Sequence, residues 1–217
     1  MIHSFLLIGQ SNAGGRGFPE EVPPIPRENL YVLRNGRWRP LYVPVNPDRV
    51  TSGICLAESF AEAYAREKGV EVGIIPCADG GTKIQQWQPG ELLYDHALMM
   101  AKLAMRTSKL TGILWHQGES DCLSDETVAA YRENFIQMIT QLRKDLGAEN
   151  VPVILGELPQ QMGANWKTAG REQQLNGILR QLAAEVPNCA IASSKELTMK
   201  PDGVHFDSPA CSAHTAI

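Results

Sequence analysis

The sequence predicts an α/β protein in which a parallel sheet lies between two layers of helices. Short, almost continuously apolar segments of strand length alternate with longer segments of helical periodicity along the 217 residues. Polar, glycine-rich clusters follow the apolar segments, as is typical of the carboxyl ends of parallel strands. The length favours a single domain, which we assign to residues 1–217.

The first predicted strand, residues 4–8, ends at Gly9. The other predicted strands are apolar runs of similar length, at residues 70–76, 112–116, 151–155 and 189–192. Between them lie four predicted helices, at residues 56–68, 92–107, 126–146 and 169–185. Gly69 and Gly147 are expected to end the first and third of these helices.

Residues 12–52 are rich in glycine and proline and are interpreted mainly as loops. A small hairpin is expected within them, with strands at 30–33 and 38–43 around Asn35-Gly36. An irregular stretch of this length inside a compact domain is usually functional.

Composition excludes several classes of protein. Apolar residues make up 43% of the chain and charged residues 20%, enough to form a core and too few charges for a disordered chain. The net charge of −4 leaves no basic excess for nucleic acid. No apolar run is long enough to span a membrane or form a signal peptide, so we expect a cytoplasmic protein or a mature chain whose leader was removed. The five cysteines are widely spaced without a CxxC pair, which favours buried, reduced thiols, and no metal or other cofactor is implied.

Four polar clusters are expected to meet at one edge of the sheet. Three of them lie at the ends of predicted strands, at residues 9–12, 77–82 and 116–121. The fourth, at residues 202–205, follows the last predicted strand. Ser11 comes directly after a strand, where a serine can act as a nucleophile if a base takes its proton. Asp202 and His205 are three residues apart in a Pro- and Gly-containing turn, which allows the carboxylate to orient the imidazole. The Gly80 N–H and the Gln117 amide are candidate donors to the oxyanion of an acyl-transfer transition state.

These clusters resemble the SGNH-hydrolase superfamily, and within it the sialate O-acetylesterase and acetylxylan esterase group of carbohydrate esterases. The matching stretches are FLLIGQSNAGGRG (5–17), PCADGGTKIQQWQPG (76–90), ILWHQGESD (113–121) and DGVHFD (202–207). The resemblance implies a three-layer α/β/α sandwich with a flavodoxin-like parallel sheet of about five strands.

The resemblance also implies roles for individual residues. Ser11 corresponds to the nucleophile, His205 to the general base and acid, and Asp202 to the residue that orients His205. The oxyanion hole would combine the N–H groups of Ser11 and Gly80 with the side chain of Gln117, which stands where wider members of the superfamily carry asparagine. Glu119 is a second carboxylate that either hydrogen-bonds the site or shares the acid role with Asp202.

Several polar and aromatic residues near these motifs are candidates for substrate binding. An aromatic face beside amide groups suits a sugar ring, and an arginine suits an acidic sugar. The candidates are Gln10, Asn12, Arg16, Gln85, Trp87 and His116.

Two features depart from the family pattern. The terminal helix expected of relatives looks absent, because only 12 residues follow His205. Either the chain is truncated or another subunit, in a homo-oligomer, covers that side of the sheet. The usual methionine after GQSN is Ala13, a change expected to alter packing beside the nucleophile.

The sequence therefore predicts a metal-free serine esterase that removes acetyl or another small acyl group from a carbohydrate hydroxyl. Its expected partner is an acetylated carbohydrate substrate. Two alternatives remain open: a carbohydrate O-acyltransferase of the same fold, and a non-catalytic glycan-binding module.

Overall fold

The computed structural model describes residues 1–26 and 28–213. The expected domain and C-terminal segment therefore extend, at residues 214–217, outside the described residues. The strands are β1 (Ile2–Gly9), β2 (Leu30–Arg34), β3 (Arg37–Pro40), β4 (Val72–Pro76), β5 (Ser108–His116), β6 (Val153–Gly156) and β7 (Cys189–Ala192). The α-helices are α1 (Ser11–Gly14), α2 (Leu56–Lys68), α3 (Leu92–Ala104), α4 (Asp125–Leu146), α5 (Arg171–Glu185) and α6 (Ser208–Ala213).

The strands form one seven-stranded sheet in the order β3-β2-β4-β1-β5-β6-β7. All neighbouring pairs are parallel except β2 and β3. The expected count of about five strands is too low, because the hairpin does not stay within a loop. Its first strand pairs with β4 and its second forms an antiparallel edge. Without the hairpin, the order β4-β1-β5-β6-β7 is the predicted flavodoxin-like arrangement.

The sheet lies between two layers of helices, and successive side chains of β1 point alternately to the two layers. Leu6 and Ile8 face a core that includes α3, α4 and α5, whereas Phe5 and Leu7 face a second core that includes α2. Both faces of β1 are therefore buried, which explains its continuous apolar sequence. Each large apolar side chain buried in these cores contributes about 1.5–3 kcal/mol relative to exposure.

The helix ends follow the expected signals. Gly69 and Gly147 adopt the left-handed conformation directly after α2 and α4, with φ of 64° and 60°. At the start of α4, the Ser124 side chain accepts a hydrogen bond from the Thr127 N–H. Periodicity predicted all four long helices, with boundaries that differ by up to three residues.

The C-terminal part contains a helix that the sequence pattern did not predict. Residues Ser208–Ala213 form α6, and the Ser59 Oγ on α2 donates a 2.8 Å hydrogen bond to the Cys211 carbonyl. This short helix contains no leucine or arginine, so it does not correspond to the terminal helix of the relatives, whose absence stays a prediction. Between residues 1 and 213, with residue 27 left aside, no helix combines the length and apolar character needed to cross a bilayer.

Candidate active site

The site lies where β1 and β5 end side by side, at the point where the strand order reverses. In the sheet, β4 pairs with one side of β1 and β5 pairs with the other side. In open α/β sheets this switch point is where ligands bind. Gly9 and His116 are the last pair of the β1–β5 ladder, so the segments after both strands emerge together.

The turn that presents Ser11 requires glycine at position 9. Gly9 has φ of 127°, and a Cβ there would lie 2.1 Å from the His116 carbonyl oxygen. The backbone therefore passes close to β5 and turns directly into α1, whose first residue is Ser11.

Ser11, His205 and Asp202 form a hydrogen-bonded row. His205 Nε2 lies 2.9 Å from Ser11 Oγ, and His205 Nδ1 lies 2.9 Å from Asp202 Oδ2. Ser11 is 7% exposed, whereas the side chains of His205 and Asp202 are 20% and 41% exposed. The three side chains that the sequence motifs singled out thus meet, with the histidine in the middle.

Asp202 is fixed by its own turn. Its Oδ1 accepts hydrogen bonds from the Val204 and His205 N–H groups, both at 3.0 Å. Partial burial acts to raise the pKa of Asp202, but these N–H groups and the His205 ring outweigh burial and hold that pKa below its ordinary value. Asp202 is therefore ionised at neutral pH and accepts a hydrogen bond from the imidazole.

The Asn12 side chain holds the backbone on both sides of His205. Its Nδ2 donates to the Val204 carbonyl at 3.0 Å and to Glu119 Oε1 at 2.6 Å, and its Oδ1 accepts from the Phe206 N–H at 3.0 Å. Asn12 is 3% exposed. Its predicted role in substrate binding is wrong, since its polar atoms are directed at the protein.

Glu119 and His116 are buried behind Asn12. His116 Nδ1 lies 3.5 Å from Glu119 Oε1, and His116 Nε2 lies 3.0 Å from the Glu157 carbonyl. Burial lowers the pKa of His116 to about 4 and raises the pKa of Glu119. His116 is therefore neutral and enclosed, and its predicted role in the substrate pocket is wrong. Glu119 reaches the site by hydrogen-bonding Asn12.

The Gln117 amide, predicted for the oxyanion hole, is directed into the protein. Its Nε2 lies within 3.2 Å of three acceptors, the Thr82 carbonyl, Asp121 Oδ2 and Gln10 Oε1, and the residue is fully buried. In this structure both of its hydrogens therefore have acceptors within the protein. The end of β5 directs this side chain toward the Thr82 loop, and its role in the oxyanion hole stays a prediction.

Gln10 has a structural role as well. Its Oε1 lies 3.3 Å from the Gly118 and Ser120 N–H groups and 3.2 Å from Gln117 Nε2. Gln10 is 1% exposed. It ties the turn after β1 to the turn after β5, and its predicted contact with substrate is wrong.

The two backbone N–H groups of the expected oxyanion hole differ in whether they already have a hydrogen-bond acceptor. Ser11 begins α1, so its N–H has no acceptor in a preceding helical turn. Gly80 lies beside Ser11, because a Cβ on Gly80 would be 3.6 Å from Ser11 Cβ. However, the Gly80 N–H donates a 2.9 Å hydrogen bond to Asp48 Oδ2. In this structure that N–H is therefore already engaged.

The remaining candidates for substrate binding lie in different environments. Trp87 is 1% exposed, donates from its indole to Thr82 Oγ1 at 3.1 Å and packs edge-on against Trp115, so it is a core residue and not a sugar platform. Gln85 is exposed, on the short helix before Trp87. Arg16 is 7% exposed and ion-paired with Asp48 at 2.7 Å.

The segment from Asn46 to Arg49 is a part of the site that the motifs missed. Asn46 exchanges two hydrogen bonds with the backbone of Ala78, and Arg49 donates to the Gly80 carbonyl at 2.9 Å. Asp48 accepts from Gly80, so this segment holds the loop after β4. The only sequence signal was its place in the long glycine- and proline-rich stretch.

A serine, an imidazole and a carboxylate in this geometry suit nucleophilic acyl transfer. In the part of the chain that the structure describes, no three His, Cys, Asp or Glu side chains are grouped so as to hold a metal ion. The five cysteines are all unpaired, and Cys189 is the one that is partly exposed.

Comparisons with known proteins identify a family and several relatives of this chain. The model of the family described as carbohydrate esterase, sialic acid-specific acetylesterase, matches residues 1–215. An Arabidopsis thaliana protein named "Probable carbohydrate esterase At4g34215" is 28% identical, over 95% of this chain and 84% of its own. The crystal structure of that Arabidopsis protein superposes with a TM-score of 0.88 and 26% identity, covering 99% of this chain and 94% of its own.

Two further solved structures share the fold at lower identity. NanS matches with a TM-score of 0.76 and 18% identity, over 97% of this chain and 92% of its own. XAC1771 from Xanthomonas citri, described as a carbohydrate acetylesterase, matches with a TM-score of 0.70 and 20% identity. This chain covers 54% of XAC1771, and 98% of this chain is aligned.

Proposed function

The chain belongs to the carbohydrate esterase family of sialic acid-specific acetylesterases, and from this premise we propose that it removes acetyl or another small acyl group from a carbohydrate hydroxyl through an acyl-Ser11 intermediate. As a member of that family it is a carbohydrate acetylesterase. The observation that carries the proposed mechanism is the row of hydrogen bonds from Ser11 through His205 to Asp202, each 2.9 Å long.

In the acylation step, Ser11 Oγ attacks the carbonyl carbon of the ester while His205 Nε2 accepts the hydroxyl proton. The electron pair of the C=O π bond moves to the carbonyl oxygen, which becomes an oxyanion. When the oxyanion collapses, the bond between the carbonyl carbon and the sugar oxygen breaks. The proton on His205 moves to that oxygen, and the carbohydrate leaves with a free hydroxyl.

In the deacylation step, His205 Nε2 accepts a proton from water as the water oxygen bonds to the acyl carbon. The second tetrahedral intermediate collapses with loss of Ser11 Oγ, which regains a proton from His205. Acetic acid is the second product when the acyl group is acetyl. Atoms and charges balance without a metal or a redox partner.

Asp202 supports both steps from the other side of the imidazole. Its ionised carboxylate accepts a hydrogen bond from the Nδ1–H, which fixes the tautomer that leaves Nε2 free to act as the base. It also stabilises the imidazolium that forms in each step. The low pKa of Asp202 supports this role, because the carboxylate stays charged throughout.

A Ser11→Ala variant tests the proposal with p-nitrophenyl acetate and its longer-chain homologues as substrates. We expect kcat to fall by at least about 10³-fold, and wild-type kcat/KM to decrease as the acyl chain lengthens. Ser193→Ala is the matched control, because Ser193 is exposed and contacts Glu157. Unchanged turnover in the Ser11 variant would contradict the mechanism.

Acetylated sugars then separate the alternatives. Release of acetate into water supports the esterase. Preferential transfer of the acyl group to an added sugar acceptor would instead indicate an acyltransferase. Binding of the acetylated sugar without turnover would indicate a glycan-binding module.

A further inference from the structure

The oxyanion hole lacks the side-chain donor expected of Gln117. That amide donates to protein acceptors, and the Gly80 N–H is bonded to Asp48. A tetrahedral intermediate on Ser11 needs more than the Ser11 N–H if its charge is to be stabilised, because oxyanion sites combine several aligned donors. Another donor beside Ser11 is therefore required.

Arg16 is a candidate for this donor because it lies beside Gly80, as Ser11 does. The point where a Cβ on Gly80 would lie is 2.5 Å from Arg16 Nη2, 3.0 Å from Asp48 Oδ2 and 3.6 Å from Ser11 Cβ. The guanidinium, its partner carboxylate and Ser11 therefore all lie next to Gly80. It is 7% exposed, so its charge acts through protein more than through water.

The guanidinium has hydrogens to spare after its structural bonds are counted. Arg16 Nη1 donates to the Gly15 carbonyl at 2.7 Å and to Asp48 Oδ1 at 3.1 Å, and Nη2 donates to Asp48 Oδ2 at 2.7 Å. A guanidinium carries five N–H donors. Within residues 1–26 and 28–213, the Nε–H and the second Nη2–H of Arg16 therefore have no hydrogen-bond acceptor.

Asp48 holds the Arg16 guanidinium in place, and other donors share the negative charge of the Asp48 carboxylate. Besides Arg16, the Asp48 carboxylate accepts from the Gly80 N–H, Ser52 Oγ and Asn46 Nδ2. Burial acts to raise the pKa of Asp48, but the Arg16 hydrogen bonds and charge, with the hydrogen bonds from Ser52 and the Gly80 N–H, outweigh burial and hold that pKa below its ordinary value. Arg16 is thus rigidly oriented before substrate binds, as an electrostatic catalyst must be.

We propose that Arg16 is a catalytic residue, whose Nη2 donates to the oxyanion formed on Ser11 and takes the place expected of Gln117. The proposal rests on the proposed function. It differs from a role in binding an acidic sugar, because the donor serves a charge that exists only in the tetrahedral intermediate. Arg16 therefore acts on kcat, and a neutral ester such as p-nitrophenyl acetate is sufficient to reveal it.

The test compares Arg16→Met/Asp48→Asn with the wild type. Arg16→Met by itself leaves the buried Asp48 carboxylate without its partner and is a poor test, because an uncompensated buried charge destabilises the whole fold. The double variant buries no unpaired charge, and the amide introduced by Asp48→Asn retains an oxygen for the Gly80 N–H. Arg132→Met is the control for loss of an arginine elsewhere, since Arg132 pairs with Glu185 on the surface.

We expect kcat for p-nitrophenyl acetate to be about 10²–10³-fold lower in the double variant than in the wild type, with KM changed by less than about threefold. Thermal unfolding of both proteins establishes that they are folded. Equal kcat in the two proteins, or a change confined to KM, would overturn the role of Arg16. Ser11→Ala is measured in the same series. Turnover in that variant equal to the wild type would instead overturn the proposed function itself.

Discussion

Asn12 Nδ2 lies 2.6 Å from Glu119 Oε1, and the same amide bonds the backbone on both sides of His205. The second carboxylate of the site is therefore connected to the histidine through an amide side chain. Asp202 is the carboxylate that contacts the imidazole directly, so we expect Glu119 to act in positioning.

Glu119→Gln is expected to keep kcat for p-nitrophenyl acetate within about threefold of the wild type, because a glutamine oxygen still accepts the Asn12 amide. Asn12→Ala removes three hydrogen bonds and should lower kcat about 10–100-fold through misplacement of His205. It should also lower the free energy of unfolding by about 2–3 kcal/mol. Urea unfolding and steady-state kinetics measure both effects. A loss in Glu119→Gln as large as in Asp202→Asn would show that Glu119 shares the acid role.

The free energy of unfolding should depend on pH through the titration of Asp121. Burial raises the pKa of Asp121 from 3.8 to about 6, against the hydrogen bonds from Gln117 and the Ile84 N–H. Because the folded-state pKa is the higher one, the folded protein holds a proton that the unfolded chain releases. The associated stability is fully present below about pH 4 and is lost as pH rises through about 6, by roughly 3 kcal/mol.

Asp121→Asn should remove this part of the pH dependence. Urea unfolding at several pH values between about 4 and 7, in the wild type and the variant, gives the difference. We expect the variant to gain relative stability as pH rises. A constant difference across that range would contradict the raised pKa.

Gly9→Ala should damage folding and activity together. The added Cβ would meet the His116 carbonyl at 2.1 Å, in a backbone conformation with φ of 127°. The expected cost is about 3 kcal/mol or more, with a fall in kcat because Ser11 lies two residues further along the chain. Gly147→Ala is the control, since it also has positive φ but nothing lies within 4 Å of its Cβ. That variant should lose about 1 kcal/mol and retain kcat, so equal losses in the two variants would refute the steric explanation.

The strands and long helices were predictable because their signals are local. A continuous apolar run such as that of β1 requires burial on both faces, which a parallel sheet provides. The meeting of Ser11 with Asp202 and His205 was predictable from order alone, since polar clusters after parallel strands share one edge.

The hairpin and the oxyanion donors were not predictable from the same signals. Whether β2 remains in a loop or joins β4 depends on the fit of Leu30 and Val32 against a strand about 40 residues away. The direction of the Gln117 amide depends on three acceptors from separate turns. The Arg16–Asp48 pair joins two positions inside a stretch without periodicity. Such side-chain orientations are set by tertiary contacts, on which residue spacing is silent.

The position of His205, 194 residues after Ser11, has a consequence for biosynthesis. A ribosome makes Ser11, the sheet and the long helices before it makes His205. Until the turn that carries His205 has been translated and has docked on Asn12, the growing polypeptide has no imidazole beside the serine. If the proposed mechanism holds, the chain becomes active only after β1 to β7 have been made, and esterase activity then reports that this turn has docked.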